Sequence, residues 1–250
     1  MTNILITGAS SGIGEALAYY YSKYSYNTLF LSGRNAERLN AVVQKCKEFG
    51  ATVEGNVIDV NSKAMMQVWI EECHAKAPLN LVIANAGVST DDDEDVDAMY
   101  RTFETNVTGV LNTILPTLEL YKKETYKHRQ IAVVSSIAAY YPMPQCPAYS
   151  ASKACVKSLT LSFRERYKKT GIKFNVICPG FVRSRITDKN TCPMPFFMEA
   201  NDSAKKIVSG LVRNKSIIAF PWQLYGLMGL ISALPHCVTS FFMDLLPKKN

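Results

Sequence analysis

Short apolar runs alternating with amphipathic helical stretches predict an α/β chain. The expected form is a doubly wound parallel sheet of about seven strands with helices on both faces. Two further observations agree. The chain has 250 residues, 48% apolar and 20% charged, enough for one large domain with a substantial core. The first apolar run also passes through a glycine-rich turn straight into a helical pattern. No repeat or linker interrupts the sequence, so residues 1–250 read as one domain with an apolar C-terminal extension at about 221–246. Disorder is expected only in the tail Lys248-Lys249-Asn250.

The elements follow in order. Asn3-Ile4-Leu5-Ile6 is the first strand, and Thr7-Gly8-Ala9-Ser10-Ser11-Gly12-Ile13-Gly14 is the turn that opens the first helix near Ile13. In that turn Gly8 allows a sharp reversal, Gly12 keeps bulk away from an approaching pyrophosphate, and Gly14 lets helix and strand pack closely. The first helical N–H groups then face an anion, with the positive end of the helix dipole behind them. Later strands are expected at Asn27–Ser32, Thr52–Ile58, Leu79–Ala84, Gln130–Ser135, Ile172–Cys178 and Ser216–Phe220. Helices are expected from about Asn35, Ser62, Asp95, Ala148 and Glu199. The acidic run Asp91-Asp92-Asp93-Glu94-Asp95 reads as a loop leading into a helix, where negative charge favours the N-terminus. In such a sheet, ligands lie beyond the carboxyl ends of the strands.

One of those ends and the helix that follows it carry reactive groups. Val133-Val134-Ser135-Ser136 closes one strand, and Tyr149-Ser150-Ala151-Ser152-Lys153 opens the next helix. Tyr149 and Lys153 are four apart and share a helix face. A free tyrosine titrates near pH 10. A neighbouring ammonium is expected to lower that value and make Tyr149 a proton donor or acceptor, with Ser136 placing the substrate oxygen.

With these residues in hand, the chain resembles the short-chain dehydrogenase/reductase family over roughly residues 3–220. The TGxxxGxG spelling matches its glycine motif, Asn85-Ala86-Gly87 its NAG motif, and Pro179-Gly180 its PG motif. Asn106, Ser136, Tyr149 and Lys153 fall at its four catalytic positions. The resemblance implies a Rossmann-like fold and hydride transfer with a nicotinamide cofactor. Tyr149 would exchange the proton, Lys153 would tune it and hold the ribose, and Asn106 would keep a helix locally open for a proton relay. The implied cofactor contacts are Gly8, Ser10, Gly12, Ile13, Gly14, Arg34, Asp59, Val60, Asn85, Ala86, Gly87, Tyr149, Lys153, Pro179, Gly180, Val182 and Ser184. Asp59 and Val60 are expected beside the adenine. Two positions depart from the pattern: Ala84 precedes the NAG motif where asparagine is frequent, and Ser184 replaces a common threonine but keeps the hydroxyl.

The second strand decides the cofactor. NAD enzymes of this architecture place an acid there, about 20 residues past the glycine motif, for the ribose 2′-OH. Leu31-Ser32-Gly33-Arg34-Asn35 has none, and Arg34 suits a 2′-phosphate. The expectation is NADP(H) in preference to NAD(H), and therefore a reductase. Pro193-Met194-Pro195-Phe196-Phe197-Met198 falls at the family's variable substrate loop. With Tyr140, Met143 and Pro144, it points to an apolar ketone or aldehyde. NADP-dependent oxidation of a steroid-like or lipid-like alcohol is the first alternative, and a non-catalytic NADP-binding regulatory protein the second.

Other functions are disfavoured. The seven cysteines are scattered and include no CxxC, so neither a disulfide framework nor a metal site is expected. The formal charge of +7 is dispersed, which argues against nucleic acid. An apolar strand beginning at Asn3 leaves no room for a secretory signal, so the chain reads as cytoplasmic. No formally charged side chain occurs from Ser216 to Met243, although Pro221 and Pro235 cut that stretch too short to span a membrane. Three readings stay open for it: core plus a homo-oligomer interface, a helix lying on a membrane surface, or a lid over an apolar substrate.

Overall fold

The computed structural model describes residues 2–89, 95–189, 193–235 and 239. Most of the acidic run (Asp91 to Glu94), Cys192, His236, Cys237 and residues 240–250 lie outside that set. Seven strands form one parallel sheet: β1 (Asn3–Ile6), β2 (Thr28–Gly33), β3 (Thr52–Val57), β4 (Leu81–Ala84), β5 (Arg129–Val134), β6 (Ile172–Pro179) and β7 (Ile217–Phe220). Their order is β3-β2-β1-β4-β5-β6-β7. The chain winds outward from β1 to β3, returns to lay β4 on the other side of β1, and winds outward again. At this reversal the two connecting loops diverge, and a crevice opens at the carboxyl ends of β1 and β4.

Strand alternation fills two core layers. Ile4 and Ile6 point into one, with Leu29 and Leu31, against Leu17 of α1 (Gly12–Ser22), Leu39 of α2 (Ala36–Glu48) and Ile207 of α7 (Ala200–Val212). Leu5 and Phe30 point into the other, against Ile70 of α3 (Lys63–Lys76), Ile114 of α5 (Gly109–Lys123) and Val156 of α6 (Pro147–Arg166). The buried strand centres explain the near-continuous apolar runs of the sequence.

Strand and helix boundaries fall within two residues of expectation, and two helix starts show why. Asn35 caps α2 by accepting from the Arg38 N–H at 2.9 Å, and Asp95 caps α4 (Val96–Phe103) by accepting from Asp97 N–H at 3.0 Å. The helix expected from Asp95 is not uniform, however. It passes through a π-helical turn at Glu104–Thr108 before continuing as α5. The wider turn accommodates one extra residue and sets Asn106 in a buried position. A last helix, α8 (Trp222–Ala233), follows β7. Among the described residues, no helix is long and apolar enough to cross a membrane, and no group of metal-ligating side chains occurs.

Candidate active site

The glycine turn is shaped by close approach. Gly8 and Gly12 take φ of +66° and +60°, which an L side chain rarely adopts. A Cβ on Gly8 would lie 2.7 Å from Ala86 Cα, and one on Gly14 would run into the Gly8 carbonyl. The Asn85 amide nitrogen donates to the carbonyls of Thr7 and Gly8, both at 3.0 Å. The Thr7 hydroxyl in turn accepts from the Asn85 and Ala86 N–H groups at 3.1 and 3.2 Å. Thr7 and Asn85 therefore lock the β1 turn to the β4 loop. The sequence marks Thr7 only as the first residue of the glycine motif, because its hydroxyl's partners lie far along the chain.

These loops form one wall of a cavity of about 390 Å³. Among the described residues, every formally charged side chain lining it is basic: Arg34, Arg38, Lys153 and Arg185. Gly8, Ser10, Gly12 and Ile13 line it at the phosphate turn; Asn85, Ala86 and Gly87 line it at the β4 loop; Pro179, Gly180, Val182 and Ser184 line it after β6. Arg34 and Arg38 stand beyond the end of β2. Gly33 keeps space there, since a Cβ would come within 2.9 Å of Ser10 Oγ. Arg38 went unnoticed in the sequence, though it lies one helical turn beyond Arg34. The glycine cradle, the basic lining and the helix N-terminus fit a dinucleotide phosphate group.

Two expected cofactor contacts, Gly14 and Asp59, and one expected catalytic residue, Asn106, stand away from the cavity lining. Gly14 lies beneath the turn, where it serves the packing of helix on strand. Asp59 does not line the cavity; its carboxylate lies 3.9 Å from Arg34 and accepts from the Asn61 N–H at 3.0 Å. Asn106 is fully buried behind the β4 loop. Its amide nitrogen donates to Val88 O (2.9 Å) and Ser152 Oγ (3.0 Å), and its oxygen accepts from Val88 N–H (2.8 Å). The π turn thereby fastens the β4 loop to α6. Val60 lines the cavity as expected.

At the other end Ser136, Tyr149 and Lys153 come together. Ser136 follows β5 and hydrogen-bonds the Tyr149 hydroxyl, while its Oγ accepts from Ala138 N–H at 3.1 Å. Lys153 is 3% exposed, lies 5.6 Å from the centre of the Tyr149 ring, and donates to Val134 O at 3.0 Å. Burial pushes the Tyr149 hydroxyl up to about 12, and the Ser136 hydrogen bond pulls against it. Burial also pushes the Lys153 ammonium down to about 8. The expected lowering of Tyr149 by Lys153 is thus not realised: desolvation dominates both groups, and the ammonium is turned to a carbonyl. At neutral pH this leaves a protonated phenol beside a charged lysine.

The apolar residues expected at the substrate mouth are placed differently. Tyr140, Met143 and Pro144 do not line the cavity, and neither does Pro193–Met198. Tyr140 is sandwiched instead. The Lys157 ammonium lies 3.4 Å from its ring centre on one side, and the Tyr225 ring of α8 packs edge-on at 5.3 Å. Met198 donates its N–H to Phe181 O at 2.9 Å, which ties the Pro193–Met198 segment beside the loop after β6. Val88, Ser89 and Ile186, which no motif in the sequence singles out, also line the cavity.

The chain is similar to known proteins over most of its length. A family model described as short chain dehydrogenase matches residues 2–193. An uncharacterized oxidoreductase of Myxococcus xanthus is 34% identical over 236 residues, covering 93% of this chain and 92% of that one. The 17-beta-hydroxysteroid dehydrogenase 13 of Rattus norvegicus is 27% identical, over 87% of this chain and 74% of its own length. Among solved structures, a short chain dehydrogenase/reductase from Burkholderia phymatum in complex with NAD superposes with a TM-score of 0.81. It shares 22% identity and covers all of this chain and 97% of its own.

Proposed function

The chain belongs to the short-chain dehydrogenase family and is an NAD(P)-dependent oxidoreductase; from that premise we propose that it is an NADPH-dependent reductase of an apolar ketone or aldehyde. The observation that carries this reading is the polarity of the cavity, with Arg34 and Arg38 beyond β2 and the Ser136–Tyr149–Lys153 group beside β5. A 2′-phosphate suits paired guanidinium groups, and among the described residues the lining has no acid to favour a free 2′-OH. When bound, the nicotinamide supplies the hydride. The protein's part is to position and to protonate. Ser136 hydrogen-bonds the carbonyl oxygen of the substrate and holds it against Tyr149. Tyr149, kept protonated by burial, gives its proton to that oxygen as negative charge develops. Lys153, charged below about pH 8, stabilises the phenolate left behind. Val88 and Ile186 are apolar neighbours for the substrate body.

A panel of ketones and aldehydes, assayed by loss of NADPH absorbance and repeated with NADH, tests the reading. Turnover with NADPH well above NADH supports it, and turnover of alcohols alone with NADP overturns the reductive direction. The likeness to a hydroxysteroid dehydrogenase favours one second reading, oxidation of a steroid-like or lipid-like alcohol.

A further inference from the structure

Helix α8 has a composition at odds with its surroundings. Its 12 residues, WQLYGLMGLISA, carry no charge, and none of them is buried. Leu224, Tyr225 and Met228 cluster with Ile137, Tyr140 and Cys178, so the helix is anchored to the loop that follows β5 and to the end of β6. The opposite side is bare: Trp222 is 76% exposed, Leu227 53% and Leu230 71%. The polar side chains of the helix other than Tyr225 are Gln223 and Ser232, both exposed. Ser232 returns its hydroxyl to Gly229 O at 2.9 Å, and Gln223 sits beside Trp222 at the helix start.

We propose that α8 is a docking helix that lies in the surface of an anionic lipid bilayer. A helix that is apolar all round is stable only where apolar material surrounds it. A second protein face would cover one side and leave the flanks in water, and α8 carries no charged side chain there to meet it. Its length, about 18 Å at 1.5 Å per residue, is well short of the roughly 30 Å hydrocarbon core, so it lies along the interface. Trp222 at its start is a residue type that settles at headgroup level. The sequence beyond Pro235 repeats the pattern, with Phe241, Phe242, Met243, Leu245 and Leu246 followed by Lys248 and Lys249. The formal charge of +7 adds attraction to anionic headgroups.

The test is flotation of the full chain with phosphatidylcholine vesicles, with and without phosphatidylserine. The native chain should float with the anionic vesicles and bind neutral ones at least about 10-fold more weakly, since basic residues near an anionic surface are worth about 1 kcal/mol each. The neutral double variant Leu227→Gln/Leu230→Gln should lose at least about 10-fold in partitioning, because two leucines no longer enter the hydrocarbon. A readout independent of any variant uses the two tryptophans. Trp69 is buried and Trp222 exposed, so a blue shift of emission on adding anionic vesicles reports α8. Absence of flotation and blue shift in the native chain overturns the proposal. So does undiminished flotation of the double variant, or a lipid-free dimer that the double variant splits while the native chain ignores vesicles.

Discussion

Three side chains carry testable chemistry. Tyr149→Phe removes the transferable proton but keeps the ring, so kcat should fall by at least roughly 100-fold. NADPH affinity, measured by fluorescence titration, should stay near that of the native enzyme; near-normal turnover would show that another group protonates the product. Arg34→Ala and Arg38→Ala should each weaken NADPH by roughly 10- to 150-fold, the worth of a charge-assisted hydrogen bond. NADH should change little, and equal weakening of both cofactors would place the phosphate elsewhere. Because the Lys153 ammonium is held down to about 8, reductive kcat/KM should decline as pH rises past that value. The glycines, Ser136, Tyr149 and Lys153 were legible from sequence because their spacing is local and their residue types are restricted. Arg38, Thr7 and the true surroundings of Tyr140 were not, since each is defined by a neighbour on another element.

Among the elements, the π turn is the one with the clearest cost. Asn106→Ala would strip partners from both the N–H and the carbonyl of Val88 behind the cavity wall. A loss of roughly 1–3 kcal/mol per abandoned group is expected in urea unfolding, and a change below about 0.5 kcal/mol would mean that the loop holds itself. The helix running through that turn shows a second feature. Val96, Tyr100 and Phe103 recur on one side of α4, and Leu115 on α5 is also open, at 63%, 73%, 40% and 41% exposure. An apolar stripe with one open side suits a second copy, so Tyr100→Glu/Phe103→Glu should shift sedimentation toward monomer; a native chain that is already monomeric would remove this reading. Helix and strand order could be read from the apolar periodicity. The π turn could not, because a pattern of amphipathicity does not reveal one inserted residue. The fate of α8 was equally hidden, because an apolar run reads alike as core, interface or lipid contact.

At the scale of the molecule, Lys153 links the cavity to global stability. An amine whose value falls from about 10.5 unfolded to about 8 folded binds fewer protons in the folded state across that window. Stability from this group is therefore lowest below pH 8 and rises through it, by up to about 3 kcal/mol by pH 10.5. Tyr149, raised from 10 to about 12, has the opposite sense, retaining its contribution below pH 10 and losing it as pH climbs through 12. Between pH 8 and 10 the lysine dominates, so native chain and Lys153→Met should diverge in urea midpoint there; parallel curves would mean that the ammonium is not desolvated. The sheet order has a consequence in time as well as in space. Gly8 meets Ala86 and Gly12 meets Ser184, so the walls of the cavity come from segments far apart in the sequence. Such long-range closures are slow steps in folding. During synthesis, a nascent chain has its glycine turn in place long before the loop after β6 leaves the ribosome. Nucleotide capture is thus expected only after that loop has emerged, and bound nucleotide would mark chains that have added β6.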